Sequence, residues 1–211
     1  MSDKIKLLVL GITMNCAGTE KAFLGLANNL DYDRFDVTLL LAKAGGPLYD
    51  QLPKQIKVIE MPEYGEMFTL TGATAKKAIW NCYVKRNPLV LAEIFPYFVK
   101  SALFKKKRSY TAMRLWVRLM RKMPPLPGEY DVAAAFWGDK TMFYMVDKVK
   151  ARRKIAWLHF DYSNPPRDDR LYLPYFQKCD KIINVSKVVD DALKARLPQI
   201  AAWSVLAPPG W

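Results

Sequence analysis

Short apolar runs alternate with stretches of helical spacing over most of the chain. Ile5, Leu7, Leu8, Val9 and Leu10 form the first run, behind a basic lead-in. Such a run suits a strand buried on both faces of a parallel sheet. It stops at Gly11. A loop of small and polar residues follows (Thr13, Asn15, Ala17, Gly18, Thr19), and then Ala22, Phe23, Leu26, Ala27 and Leu30 recur at helical spacing. Thr19 is the expected N-cap, with Glu20 and Lys21 in the first turn. Residues 35–41 read as a second buried strand, 48–52 as a short helical piece and 56–59 as a third strand. This order predicts a doubly wound α/β fold with right-handed crossovers.

The alternation lapses over residues 62–128, which read as a helical insertion. Residues 62–72 are expected to be loop, and 74–86, 89–104 and 108–122 to be helices. The proline-rich stretch 124–128 closes the insertion. From Tyr130 the pattern returns. Residues 131–136, 154–159, 181–185 and 203–206 read as strands. Between them fall a helix over 139–149 capped by Asp139, a short one over 170–177, and one from Ser186 to about Leu197. The whole of residues 1–211 is therefore expected to be one Rossmann-like unit carrying the insertion.

Composition narrows the chemistry. With 211 residues, 51 % of them hydrophobic, the chain can bury one substantial core. Cys16, Cys82 and Cys179 are scattered and odd in number, and His159 is the single histidine. Neither a disulfide framework nor a metal site is expected, and reduced thiols suit a cytoplasmic protein. The apolar start is too short for a signal peptide and lacks its cleavage pattern. No other run reaches the roughly 18 apolar residues of a membrane span.

The net charge of +13 changes the picture because of where it lies. Residues 70–125 hold thirteen Lys/Arg and one acid, Glu93, for +12, whereas the remainder holds twenty bases and nineteen acids. In the third inserted helix Met113, Trp116, Val117 and Met120 share one side, while Lys107, Arg114, Arg118 and Arg121 lie opposite. No acid interleaves with these bases, and the preceding helix is unusually apolar. Together the two predict an element lying on an anionic membrane surface, with Arg114, Trp116, Arg118 and Arg121 in contact. The competing explanation is a surface helix whose apolar stripe packs on the domain. Nucleic acid is a weaker candidate partner, since no recognition motif accompanies the interleaved bases and aromatics.

Three stretches carry a family resemblance. A-G-T-E-K-A-F-x-x-L-A-x-x-L, from Ala17, resembles the G-G-x-E loop and first helix of retaining GT-B glycosyltransferases of family 4. Gly18 and Glu20 match, and Ala17 stands where that family usually has its first glycine. The later stretches W-L-H-F-D-Y (Trp157–Tyr162) and N-V-S-K (Asn184–Lys187) are similar to the family's acceptor-side motif and cleft-side serine. The resemblance covers residues 4–60 and 130–206. It implies that Ala17, Gly18, Thr19 and Glu20 lie near a donor diphosphate, and that His159 faces the transferred sugar. Asp161 would orient His159 or cap its loop, and Ser186 would sit at the cleft, although locally it reads as an N-cap.

The resemblance further implies a nucleotide-sugar donor, a glycan or lipid-linked acceptor, and no cofactor or metal. In that family a second domain with an E-x(7)-E motif binds the donor. It is not among these residues, so the chain alone is expected to lack transferase activity. The expected setting is cell-surface polysaccharide or glycolipid synthesis on the inner face of the cytoplasmic membrane. The alternative from another class is a non-catalytic Rossmann-like module that binds membranes or a partner protein.

Overall fold

In the computed structural model, residues 4–61, 63–69, 74–104 and 108–207 are described. Seven parallel strands form one sheet in the order β3-β2-β1-β4-β5-β6-β7. They are β1 (Ile5–Leu10), β2 (Phe35–Leu41), β3 (Lys57–Glu60), β4 (Glu129–Ala135), β5 (Lys150–Leu158), β6 (Lys181–Asn184) and β7 (Ser204–Leu206). This is the Rossmann-like arrangement expected from the sequence. The order reverses between β1 and β4, and such a switch point is where open α/β sheets form their ligand crevice.

Alternating side chains of the strands feed two separate cores. Val9, Val37, Leu39 and Leu41 face α1 (Gly18–Asn28), which contributes Phe23 and Ala27. Leu8, Leu10, Leu40, Ala133, Ala135, Ala156 and Leu158 face the opposite layer. Among the described residues, that layer holds the later α-helices: α2 (Gly65–Phe68), α3 (Ala75–Ile79), α4 (Val90–Leu103), α5 (Arg108–Met120), α6 (Asp139–Lys148), α7 (Asp169–Phe176) and α8 (Lys187–Arg196). The strand runs are near-continuous because both faces are covered.

The segment 62–128 is the crossover from β3 to β4, which must pass β2 and β1 to reach its partner. Its described residues pack as part of the second core. The expected loop over 62–72 contains α2, whose Gly65 approaches the end of β2 so closely that an added Cβ would lie 1.9 Å from the Ala42 carbonyl oxygen. The expected single helix over 74–86 is α3 continued by a π-helical turn, Trp80–Val84. Helix α5 buries Leu115, Trp116, Val117, Leu119 and Met120. It is a core helix of the sheet's second face.

This burial corrects the expectation that Trp116 contacts a membrane. Its ring is 4 % exposed, and its indole Nε1 donates to the Met67 carbonyl oxygen at 2.7 Å. Three of the arginines in and just after α5 also have acids after all. Arg114 pairs with Asp168, Arg118 with Glu93 at 3.0 Å, and Arg121 with Asp147 at 3.2 Å. Two of those acids come from later elements that no local window on the sequence contains. Helix α4 is the element turned outward: it buries Val90 and Ile94 and exposes Leu91, Phe95, Phe98, Val99 and Leu103. Among the described residues, no helix is long and apolar enough to cross a membrane.

Candidate functional site

The carboxyl ends of β1, β4, β5 and β6 stand in a row, about 4.8 Å apart from strand to strand. Four loops therefore share one edge: residues 11–17, 136–138, 159–168 and 185–186. The first is held by backbone bonds to the loop after β2, from Met14 N–H to the Gly45 oxygen and from Leu48 N–H to the Met14 oxygen. It leads into α1, whose N-cap is Ala17 in extended conformation, with no side-chain cap bond. Thr19 is thus inside the helix, a correction to its expected capping role. Ala17 and Gly18 are exposed, Thr19 is half-buried, and Glu20 is buried at 6 % exposure. The Glu20 carboxylate accepts a long bond from Thr13 Oγ1 at 3.5 Å.

A column of rings joins this corner to the end of β5. Phe23 of α1 lies 5.6 Å from Phe136, and Phe136 lies 4.6 Å from the His159 imidazole. Trp137 closes the same cluster, 5.0 Å from Phe23. His159 is half-buried, and burial pushes its pKa down from the ordinary 6.5 to about 4. At neutral pH it is an uncharged imidazole, able to accept or to donate a proton or hydrogen bond.

Asp161 is exposed, and its carboxylate accepts the Ser163 amide at 2.7 Å, the loop-capping arrangement. Ser186 is the N-cap of α8, with Oγ accepting from Val189 N–H at 3.3 Å. The edge brings together Ala17, Gly18, Thr19, Glu20, His159, Asp161 and Ser186. Arg114, Trp116 and Arg118 belong to α5, and Arg121 follows its last residue, all in the helical layer.

Sequence reasoning missed a third contributor to the edge. Gly138, with φ of 86°, is the N-cap of α6, so Asp139 is that helix's first residue and not its cap. The Asp139 carboxylate instead accepts from Arg167 Nε at 3.1 Å and from the Tyr172 hydroxyl at 2.8 Å. Arg167 stacks 4.0 Å over the Phe160 ring and donates to the carbonyl oxygens of Asp161, Tyr162 and Pro165. This nearly buried ion pair fastens the loop that carries His159. Nothing near Arg167 in the sequence signals that role, whereas Trp137-Gly138-Asp139 after an apolar run is a recognisable strand-to-helix turn. Among the described residues, no cluster of His, Cys, Asp and Glu could hold a metal.

No family model matches the sequence, and no curated protein matches it. Among solved structures, the complex of TcCGT1 with UDP is similar at 14 % identity and a TM-score of 0.41. The match covers 99 % of this chain and 51 % of that one, so the chain spans about half the length of the structure it resembles.

Proposed function

We propose that the chain is the acceptor-side half of a retaining, nucleotide-sugar-dependent glycosyltransferase, working on a glycan or lipid-linked acceptor. The observation that carries the reading is the convergence of its two motif stretches. Ala17–Glu20 and Trp157–Tyr162 are distant in sequence, yet they occupy one sheet edge and are joined through Phe23, Phe136 and His159. The switch point beside them supports a ligand crevice.

On this reading the exposed, small Ala17 and Gly18 leave room for the donor diphosphate at the start of α1, where the helix dipole favours anions. Neutral His159 meets the transferred sugar or the acceptor hydroxyl, either as hydrogen-bond partner or as proton acceptor. Asp161 and Arg167 keep its loop in place. A second domain closes over this edge and supplies the remaining donor contacts. On this reading the cationic partners of the leaving phosphate come from that second domain, and transfer needs both parts.

The test is a donor screen on the chain joined to or mixed with a donor-binding domain, with wild type beside His159→Ala. Transfer lost in the variant at unchanged melting temperature supports the reading. Turnover of a sugar nucleotide by the chain alone, or full transfer by the variant, sinks it. A non-catalytic membrane-binding module is the second reading, favoured by the exposed apolar face of α4. A donor screen without any transfer would leave that one standing.

A further inference from the structure

A cavity of about 820 Å³ opens between α3, the second half of α4 and the first half of α5. Its volume is that of a small-molecule site. Met67, Ile79, Leu115, Trp116 and Leu119 form its apolar wall, with Phe98 beside them. Three cations line it, Lys76, Arg108 and Lys140, and no Asp or Glu does among the described residues. Lys76 and Arg108 are exposed, at the outer rim. Lys140 is held inside: its ammonium donates to the carbonyl oxygens of Phe68 at 3.0 Å and Met67 at 3.4 Å, and lies 5.9 Å from the Trp116 ring.

The surroundings have the same two-part character. Alongside the cavity α4 carries Phe95 at 67 % and Leu103 at 71 % exposure, with Leu91 and Val99 also turned to solvent and Lys100 exposed on the same helix. Contiguous apolar surface of this kind marks an interaction site. Arg114, Arg118 and Arg121 are already paired with acids of the fold, whereas the cavity cations face no acid among the described residues of its lining. A partner for this surface must therefore bring a hydrocarbon part and a negative charge together.

We propose that the cavity takes one hydrocarbon chain of an anionic membrane phospholipid, with its phosphate on Lys76 and Arg108, while α4 lies along the lipid surface. The apolar wall recognises the chain by removing it from water. The rim recognises the phosphate by charge and by the forked donors of Arg108. Helix α4 is amphipathic, aromatic-bearing and lysine-containing, the composition of an interfacial helix. The inference holds whether or not the sheet edge performs glycosyl transfer, since no edge residue takes part.

The probe is oleoyl lysophosphatidate below its micelle concentration, titrated into the full chain by calorimetry. Mono-oleoylglycerol and glycerol phosphate serve as the chain-only and phosphate-only comparisons. Saturable binding of one lysophosphatidate per chain is expected, with each comparison compound at least tenfold weaker. Lys76→Glu combined with Arg108→Glu changes exposed side chains only, and should weaken binding tenfold or more at unchanged melting temperature. Ala112→Trp, which fills the cavity from an exposed position of α5, should do the same. Vesicles with brominated acyl chains and 30 % phosphatidylglycerol should quench tryptophan emission in wild type more than in the Lys76→Glu, Arg108→Glu variant. Equal binding of glycerol phosphate would make the site a plain anion site and overturn the proposal. So would affinity for lysophosphatidate that neither variant alters, or no binding at all.

Discussion

The Phe136 ring lies 4.6 Å from the His159 imidazole and is tilted 54° to it. This contact places the only histidine of the chain against the aromatic column that also supports the start of α1. The same packing keeps water from part of the imidazole, which is why its pKa falls to about 4.

Because the native value lies below the ordinary 6.5, the folded protein binds fewer protons than the unfolded chain between pH 6.5 and about 4. Stability from this group is complete above pH 6.5 and is lost as the pH falls towards 4. After discounting for partial solvent access, the loss is about 2 kcal/mol. With one histidine, a proton NMR titration shows a single imidazole signal, expected to hold its neutral shift down to about pH 5. A midpoint near 6.5 would mean that the ring is solvated.

The indole of Trp116 predicts the opposite of what a membrane contact would. Trp116→Ala should destabilise the chain by about 3–5 kcal/mol, through a cavity in the second core. Trp116→Phe should cost less, about 1–3 kcal/mol, for the lost bond to the Met67 carbonyl. Neutralising Arg114, Arg118 or Arg121 singly to Gln should cost at most about 1 kcal/mol each, since these pairs are surface-exposed. Urea unfolding of the five variants checks the ranking. A Trp116→Ala protein as stable as wild type would return the ring to the surface.

The sheet was legible in the sequence because its strands are covered on both faces, so each reads as an unbroken apolar run between small-residue turns. The edge that carries Glu20 and His159 followed from those turns. Two features were not legible, for a shared reason. The acids that pair with Arg114 and Arg121 lie 54 and 26 positions further on, so α5 looked unbalanced in any local window. The apolar stripes of α4 and α5 have similar periodicity, and only the path from β3 to β4 decides which of them meets the sheet. The capping errors at Thr19 and Asp139 are of another kind: extended Ala17 and left-handed Gly138 supply backbone geometry that a side-chain signal cannot report.

A buried polar cluster ties the far end of the sheet. The Asn184 amide donates to Asp190 at 2.9 Å and Ser204 at 2.8 Å, while Ser204 Oγ and Lys194 Nζ each donate to Asp190 at 2.6 Å. Burial pushes the Asp190 carboxyl up, but the bonds from Lys194 and Ser204 outweigh it and hold the group below its usual range. Its stabilisation is therefore present above pH 3.8 and lost as the pH falls through the lower native value. Asp190→Ala should cost about 3 kcal/mol at pH 7, because it leaves Asn184 and Ser204 short of an acceptor. The gap between variant and wild type should narrow as the pH falls below 3.8. A constant gap from pH 7 to 3 would show that the carboxylate charge contributes nothing.

Lys140 gives a pH dependence of the same sense as His159, in a more alkaline window. Burial brings its pKa from 10.5 down to about 8, the nearby Asp139 opposing only in part. Between those two values the unfolded chain binds the extra proton, so the Lys140 contribution to stability improves as the pH rises from 8 to 10.5. The full difference amounts to about 3 kcal/mol. Other groups act against it in that range. The Cys179 thiol, for one, is pushed up to about 12 by burial and weakens the fold as the unfolded thiol ionises above pH 9. The comparison that isolates Lys140 is therefore wild type against Lys140→Met, which keeps the side-chain length and removes the charge. The substitution forfeits the bonds to the Met67 and Phe68 oxygens but relieves the burial of an ammonium. Its stability relative to wild type should be most favourable at pH 7 and should decline steadily towards pH 10. Guanidinium unfolding at four pH values reads this directly, and a stability difference independent of pH would mean that Lys140 keeps an ordinary, solvated ammonium.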